Sequence, residues 1–241
     1  MLNALSKIGR GAVSLFYPPL CAVCQQAIEA DEFLCSDCQA KAPRLSPPFC
    51  RRCSEQFAGA IDGEFECANC SHRELAFESA VSAYRSRGLV RFVILQFKYS
   101  RQLQLRHPIA AWLEEAMQDA RFEGLTFDAL VPVPLHPAKL RERGFNQALL
   151  LAEILSEKIS LPVLPALERT RYTTTQTVFD RTARMENLRG AFRLRKDASV
   201  AGQRLLLVDD VLTTGSTLSE CASVLRAGGA DSVHAVTAAR A

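Results

Sequence analysis

One ordered string near the end of the chain limits the fold more than any other: Leu205-Leu206-Leu207-Val208, then Asp209-Asp210-Val211-Leu212, then Thr213-Thr214-Gly215-Ser216-Thr217. Four consecutive apolar residues suit a short strand buried on both faces, as in a parallel sheet. The acidic pair is expected where that strand ends. A small-residue loop around Gly215 follows, then a helical pattern through Leu218, Cys221, Val224 and Leu225. This order describes a site at the carboxyl end of a strand, where open α/β sheets bind ligands.

The loop and the acidic pair ask for different partners. Gly215 lets backbone approach a ligand closely, and the amides of Thr213 to Thr217 can converge on an anion at the helix N-terminus. The hydroxyls of Thr213, Thr214, Ser216 and Thr217 add donors for phosphate oxygens. Asp209 and Asp210 would repel phosphate, but they suit a sugar diol or a Mg²⁺ ion held near one. A ligand with a phosphate at one end and a ribose beside it satisfies both halves. An ordinary strand–loop–helix connection with an Asp turn is the bland alternative, and it leaves the ordered string unexplained.

Eight of the nine cysteines precede residue 71 and form four Cys-x-x-Cys pairs: Cys21/Cys24, Cys35/Cys38, Cys50/Cys53 and Cys67/Cys70. Two pairs supply the four thiolates of one tetrahedral structural zinc site. The intervals between pairs are 10, 11 and 13 residues, which suit tight ribbons. Sequential pairing is favoured, with Cys21/Cys24/Cys35/Cys38 on one ion and Cys50/Cys53/Cys67/Cys70 on a second; an interleaved arrangement stays open. A disulfide framework has no secretory signal to support it. The segment has too few large apolar residues to fold well alone, so metal supplies much of its stability. Cys221 stands apart and reads as a packed core residue.

At 241 residues, with 48% hydrophobic and 23% charged residues, the chain can bury a full core in one or two domains. No apolar run approaches the roughly 18 residues of a membrane helix. Residues 1–20 are mildly amphipathic but lack a signal peptide's apolar core, so cytoplasmic location without membrane insertion is expected. The net charge of +3 is uneven: residues 85–196 carry 19 basic and 11 acidic groups, a local balance of +8. Such a region can face a polyphosphate or a nucleic acid, although solvated helix faces account for most of these residues.

Other elements follow from local pattern. Ala80–Tyr84 reads as a strand, Leu89–Tyr99 as a helix after Gly88, and Pro108 opens another through Trp112, Leu113 and Met117. Phe127–Val133 reads as a strand stopped by Pro132 and Pro134. A loop with Lys139, Arg141, Arg143 and Gly144 leads to a helix beginning at Asn146 or Gln147. Guanidinium groups suit pyrophosphate oxygens through a bidentate fork. His136 reads as structural rather than catalytic. Residues 167–192, with six threonines, read as a mobile polar loop, and Ser232–Thr237 as the final strand.

The 205–217 string resembles the 5-phosphoribosyl-1-pyrophosphate (PRPP) signature of type I phosphoribosyltransferases. In that family the acidic pair holds the ribose 2- and 3-hydroxyls and the loop cradles the 5-phosphate. With the four cysteine pairs, Lys98-Tyr99, Pro132-Val133-Pro134-Leu135 and Arg143-Gly144-Phe145-Asn146-Gln147, the chain is similar more narrowly to the ComF family. Tyr172 and Thr174 stand where the ComF loop carries prolines, so a looser loop is expected.

The resemblance spans nearly the whole chain. It implies a type I phosphoribosyltransferase-like parallel α/β sheet flanked by helices over residues 76–241. An N-terminal helix and double zinc ribbon over residues 1–75 precede it. It implies PRPP and Mg²⁺ at Asp209, Asp210, Val211, Thr213, Thr214, Gly215, Ser216 and Thr217, with Lys98 meeting the pyrophosphate or the acceptor unless it is merely a helix-end lysine. Arg141, Arg143, Arg169, Gln176 and Arg181 are implied to hold the leaving group or close over it. The family's role is natural competence: a cytoplasmic factor assisting inward transfer of single-stranded DNA, beside uptake machinery such as a helicase. Some relatives are linked to sugar-acid use. No residue reads as an obligatory general base. A non-catalytic PRPP-sensing or DNA-binding module therefore stays open, as does a zinc-ribbon adaptor, which would leave Asp209 and Asp210 without a purpose.

Overall fold

Among the described residues the cysteine-rich segment folds as two small knuckles whose helices are single turns, in a computed structural model that describes residues 18–61, 63–172 and 188–241; the N-terminal helix expected before the first ribbon falls on residues 1–17, outside them. Helix α1 (Ser36–Ala40) begins directly after Cys35, and α2 (Ala68–Ser71) directly after Cys67. Each therefore starts inside the second cysteine pair of a ribbon, where metal ligation and helix initiation share the same residues.

The α/β part follows in chain order. Strand β1 (Ala80–Arg85) leads through α3 (Gly88–Tyr99) and α4 (Arg106–Ala116) to β2 (Ala129–Pro132). Helices α5 (Pro137–Arg143) and α6 (Gln147–Ile159) precede the short strands β3 (Leu167–Arg169) and β4 (Phe192–Leu194). Strand β5 (Arg204–Leu212), helix α7 (Ser216–Ala227) and strand β6 (Ser232–Arg240) complete the chain. Among the described residues no helix is long and apolar enough to cross a membrane.

Four strands form a parallel sheet in the order β1-β6-β5-β2. Val131, Leu207, Ala235 and Ala80 make one row across it. Strand alternation sends successive side chains to opposite faces. Leu206 and Val208 therefore pack with Val93, Phe97, Leu113 and Leu151 of α3, α4 and α6, whereas Leu205 and Leu207 pack with Leu218, Cys221 and Leu225 of α7. Both faces are covered, which is why the strand reads as an unbroken apolar run.

The ribbons lie on either side of β1. The first packs with the α4 side, where Phe33 stacks on His107 at 5.1 Å, and the second with the α7 side. The chain between them covers the edge of β1: Leu45 N donates to Ala83 O at 2.8 Å and Arg85 N to Pro43 O at 2.7 Å. An edge strand so covered cannot recruit another chain.

Three expectations change. Strand β5 does not stop at the acidic pair, because Val211 and Leu212 still pair with Ala239 and Arg240 of a longer β6. The basic segment after β2 is a helix rather than a loop. His136 Nδ1 accepts from Ala138 N at 3.2 Å to cap it, Pro137 opens it, and Gly144 ends it at φ 87°. Leu167–Arg169 and Phe192–Leu194 pair antiparallel, so the 167–192 segment has a β stem. The inner part of that segment, residues 173–187, falls outside the described residues, and Thr174, Gln176 and Arg181 with it.

Candidate functional site

The acidic pair divides between the two faces of the sheet. Asp210 is 2% exposed and turns toward α3, where Lys98 at the helix end brings Nζ to 2.5 Å from Oδ2. Asp209 lies on the α7 face and keeps a partly open side, although protein surrounds it at short range. Burial first, and the neighbouring Asp210 charge second, push the Asp209 carboxyl up to about 8. Lys98 moves the same way for another reason. Burial disfavours its ammonium, but Asp210 and Asp209 together outweigh burial and hold it above the ordinary lysine range. Lys98 is thus an internal counter-ion for the pair, not an exposed helix end.

The loop after β5 tightens quickly into α7. Gly215 adopts φ 77° as the N-cap; a Cβ there would make only ordinary contact, 3.5 Å from the Phe77 ring, so it is the left-handed turn that calls for glycine. The Thr214 and Ser216 hydroxyls bond each other at 2.9 Å, and Ser216 is 5% exposed. These two hydroxyls shape the loop itself. Thr213 is exposed and Thr217 half-buried, so they are the hydroxyls left facing outward. The first amides of α7 have no intrahelical acceptor, which is the general condition for anion binding at a helix start.

A cavity of about 250 Å³ opens at Lys98, the partner of Asp210, lined by Lys98, Tyr99, Arg101, Lys139, Glu142, Arg143 and Tyr172. Because α5 is helical, positions 139 and 143 share one face and Arg141 points elsewhere. Arg143 lines the cavity, while Arg141 is exposed and does not; Lys139, part of the same basic segment but not among the expected site residues, stands there with it. The Arg143 guanidinium lies 5.3 Å from the Tyr99 ring centroid and Lys139 Nζ 5.9 Å from that of Tyr172. Cations over aromatic faces hold both partners in place. Arg169 sits on β3 with its guanidinium 5.3 Å from the Phe192 ring centroid; burial lowers its pKa, and the Asp209 charge works against that.

Spacing also missed two residues of the second ribbon. Arg73 donates from Nη1 to Thr214 O at 3.0 Å and from Nη2 to Ser216 Oγ at 3.2 Å, and Asn69 Nδ2 reaches Thr214 O at 3.4 Å. Nothing local in the sequence marks either one, because their targets lie more than a hundred positions away.

The cysteines assemble in sequential pairs. Within Cys21/Cys24/Cys35/Cys38, and within Cys50/Cys53/Cys67/Cys70, all sulfurs lie within 4.8 Å of one another. Four thiolates at about 2.3 Å from a zinc ion set their sulfurs about 3.8 Å apart. The Cys24–Cys35 and Cys53–Cys67 separations are both 3.6 Å. Both four-cysteine sets therefore suit structural zinc. The second is wholly buried, whereas Cys24 of the first is exposed.

Comparison with known proteins agrees with both halves. Residues 12–71 match the double zinc ribbon domain family and residues 146–241 the phosphoribosyl transferase domain family. The chain is 32% identical over 212 residues to Competence protein F of Haemophilus influenzae, covering 86% of this chain and 90% of that protein. It is 32% identical over 224 residues to DNA utilization protein YhgH of Escherichia coli (strain K12), covering 91% and 96%. Competence protein ComFC of Bacillus subtilis is 26% identical over 227 residues, with 88% and 86% covered. Paired zinc ribbons joined to a phosphoribosyltransferase-like parallel sheet, with this similarity over almost the full length of such relatives, place the chain in the ComF (competence protein F) family.

Proposed function

We propose that this chain binds PRPP with Mg²⁺ across the end of β5 and acts, as a phosphoribosyltransferase or a PRPP-dependent factor, in the handling of incoming DNA. The observation that carries this reading is the continuity of the site. The acidic pair, the glycine turn and the start of α7 form one unbroken stretch beside a basic cavity. A carboxylate pair and an anion-binding helix start, this close together, match a phosphorylated ribose and little else.

In this reading Asp209, with its partly open side, accepts from the ribose diol, and the Lys98–Asp210 ion pair stands behind it. Thr213, Thr217, the amides around Gly215 and the backbone of Val211 hold the 5-phosphate. Lys139, Arg143 and Arg169 would meet the pyrophosphate; Arg141 stands away from the cavity, and Gln176 and Arg181, outside the described residues, are further contacts that the resemblance implies. When bound, Mg²⁺ neutralises pyrophosphate charge, and the acidic pair is the donor set on this chain that suits it. Transfer breaks the bond between C1 of the ribose and pyrophosphate, which leaves with the electron pair. A nitrogen nucleophile then forms the new bond to C1. The chain's part is to orient the ribose, spread the leaving charge over fixed cations and exclude water.

The competence role comes from the relatives. Two carry competence in their names and one DNA utilization. In this reading the protein works in the cytoplasm, with single-stranded DNA and uptake machinery such as a helicase as its partners. A second reading, in which the scaffold senses PRPP or binds DNA without transfer, is favoured by the exposed Tyr99 and Tyr172, 69% and 50% accessible, around the basic cavity. Aromatic faces within a cationic groove are how single strands are held without sequence readout.

The test combines binding with turnover. PRPP with Mg²⁺ is expected to raise the melting temperature, since a ligand specific to the folded state at a hundredfold excess over Kd stabilises by about 2.7 kcal/mol. Asp209→Ala combined with Asp210→Ala is expected to remove that rise. A screen for PRPP-dependent pyrophosphate release with nucleobases, amines and DNA then separates transfer from sensing. Retention of the full thermal shift by the double variant would refute the ribose assignment.

A further inference from the structure

We propose that the second zinc ribbon is part of the anion site: Arg73, aided by Asn69, positions the 213–217 loop, so the metal centre at Cys50/Cys53/Cys67/Cys70 and the loop's grip on a phosphate ester are thermodynamically linked. The identity of the phosphate ester rests on the PRPP reading above; the linkage itself does not.

A chain of contacts joins the two. Asn69 lies between the ligand cysteines Cys67 and Cys70 on α2, and Arg73 N donates to the Cys70 carbonyl at 3.1 Å. Arg73 Nη1 then bonds Asn69 Oδ1 at 2.8 Å and Thr214 O at 3.0 Å, while Nη2 reaches Ser216 Oγ at 3.2 Å. Just downstream, Ala76 N donates to Ser219 Oγ at 3.1 Å in the first turn of α7, and the Phe77 ring backs Gly215. The near end of the loop is tied as well. The buried Arg240 donates from Nε to Cys53 O at 3.0 Å and from Nη1 to Leu212 O at 3.3 Å. The second ribbon thus holds the loop at Leu212 and again at Thr214–Ser216. The first ribbon packs on α4 instead.

Two physical effects follow for an anion. The Thr214 carbonyl, whose oxygen would repel phosphate, is engaged by the Arg73 guanidinium, which offsets that repulsion. The guanidinium also places a fixed positive charge directly behind the loop, where part-burial weakens solvent screening. Preorganised donors lose less on binding than donors that must first be ordered. Linkage is reciprocal, so a phosphate ester on the loop protects the second metal centre in turn.

The experiment uses the full-length, zinc-loaded protein as wild type, Arg73→Ala, Arg73→Lys and Arg44→Ala. The last removes an exposed arginine paired with Glu115, away from the loop. Hydrogen exchange of the amides at 209–218 is measured without ligand, and PRPP affinity with Mg²⁺ by calorimetry. Arg73→Ala is expected to speed loop exchange about fivefold or more and to weaken PRPP about tenfold, the size of one lost hydrogen bond to a charged group. Arg73→Lys keeps the charge but not the forked contact, and recovers part of both; Arg44→Ala changes neither. Should Arg73→Ala not fold, Arg73→Lys carries the test through the same two readouts. Loop exchange equal to wild type in the folded Arg73 variants overturns the inference. If wild type binds no PRPP while Arg73→Ala still loosens the loop, and removal of zinc from wild type loosens the same amides, the PRPP reading fails and the linkage stands; loop exchange unchanged by zinc removal overturns the linkage.

Discussion

The Lys98 ammonium lies 2.5 Å from Oδ2 of Asp210, with the lysine side chain 18% and the aspartate side chain 3% exposed. A pair this deep has a large desolvation cost, so it is held by mutual need more than by net stabilisation. Removing one member strands the other.

Lys98→Ala is therefore expected to destabilise by about 3–5 kcal/mol, because Asp210 loses its counter-charge while still buried. The melting temperature falls by about 2–4 °C for each kcal/mol in a chain of this size. Lys98→Ala combined with Asp210→Asn recovers much of the loss, since a neutral amide tolerates the site. Strictly additive losses in denaturant melts would show that the two groups are not coupled. Lys98 is held above its ordinary range, so its contribution is complete below that range and is lost only as the pH rises through the raised value.

Asp209 gives a pH signature of its own. Its carboxyl rises in the fold from 3.8 to about 8, so the neutral form is the one the fold favours. Its contribution is present below the unfolded value of 3.8 and is lost as the pH rises through about 8. Asp209→Asn mimics the neutral acid. Relative to wild type it should show little change near pH 4 and a stability gain that grows to about 1–3 kcal/mol above pH 8, after allowance for solvent at the open side. Thermal melts across that range check it, and a pH-independent difference would contradict the shift. The same variant should bind PRPP more weakly, because an amide oxygen is a weaker acceptor for a diol than a carboxylate and cannot become one on binding.

What the sequence made legible was local. Cysteine spacing placed both metal centres in their correct pairs, and the Leu205–Thr217 string placed a strand, a turn and a helix in their correct order. Three features escaped because they depend on distant partners or on competing signals. Strand β5 runs past Asp209 and Asp210 because pairing with β6 outweighs the polarity of two residues. Helix α5 was hidden by its charge, although Pro137 at its start and Gly144 at its end were the expected helix boundaries; reading a helix there would have put Lys139 with Arg143. The Arg73–Thr214 contact joins residues 141 positions apart, and no period or motif in either segment announces it.

Zinc analysis of the purified chain is expected to find about two ions, one for each four-thiolate set. Removing them should cost far more than a surface substitution, since structural zinc contributes about 10–16 kcal/mol in isolated finger peptides. The two sites should differ in rate. Cys24 is exposed in the first set and all four ligands are buried in the second, so a mild chelator should strip the first ion before the second. Release followed with a colorimetric zinc indicator would be biphasic; a single phase of two equivalents would contradict the difference in burial.

Single-stranded DNA should bind across the Lys139–Arg143 face. The two cations and the rings of Tyr99 and Tyr172 line one cavity, with Arg143 near Tyr99 and Lys139 near Tyr172. Phosphate contacts release counterions, so affinity for a labelled oligothymidylate should fall steeply with salt, with a slope of about −0.7 per contact. Lys139→Gln with Arg143→Gln should flatten that slope by about 1.4 while weakening binding at low salt. Tyr99→Leu keeps the bulk but removes the aromatic face; it should weaken binding by about 1–3 kcal/mol with the slope unchanged, as expected of a stacked base. Fluorescence anisotropy at several salt concentrations separates the two effects. PRPP with Mg²⁺ added to the complex supplies the last comparison, because the pyrophosphate and the strand would call on the same two cations. Competition that disappears in the Lys139/Arg143 double variant would tie both ligands to this face, while a salt-independent affinity in the wild type would remove DNA from it altogether.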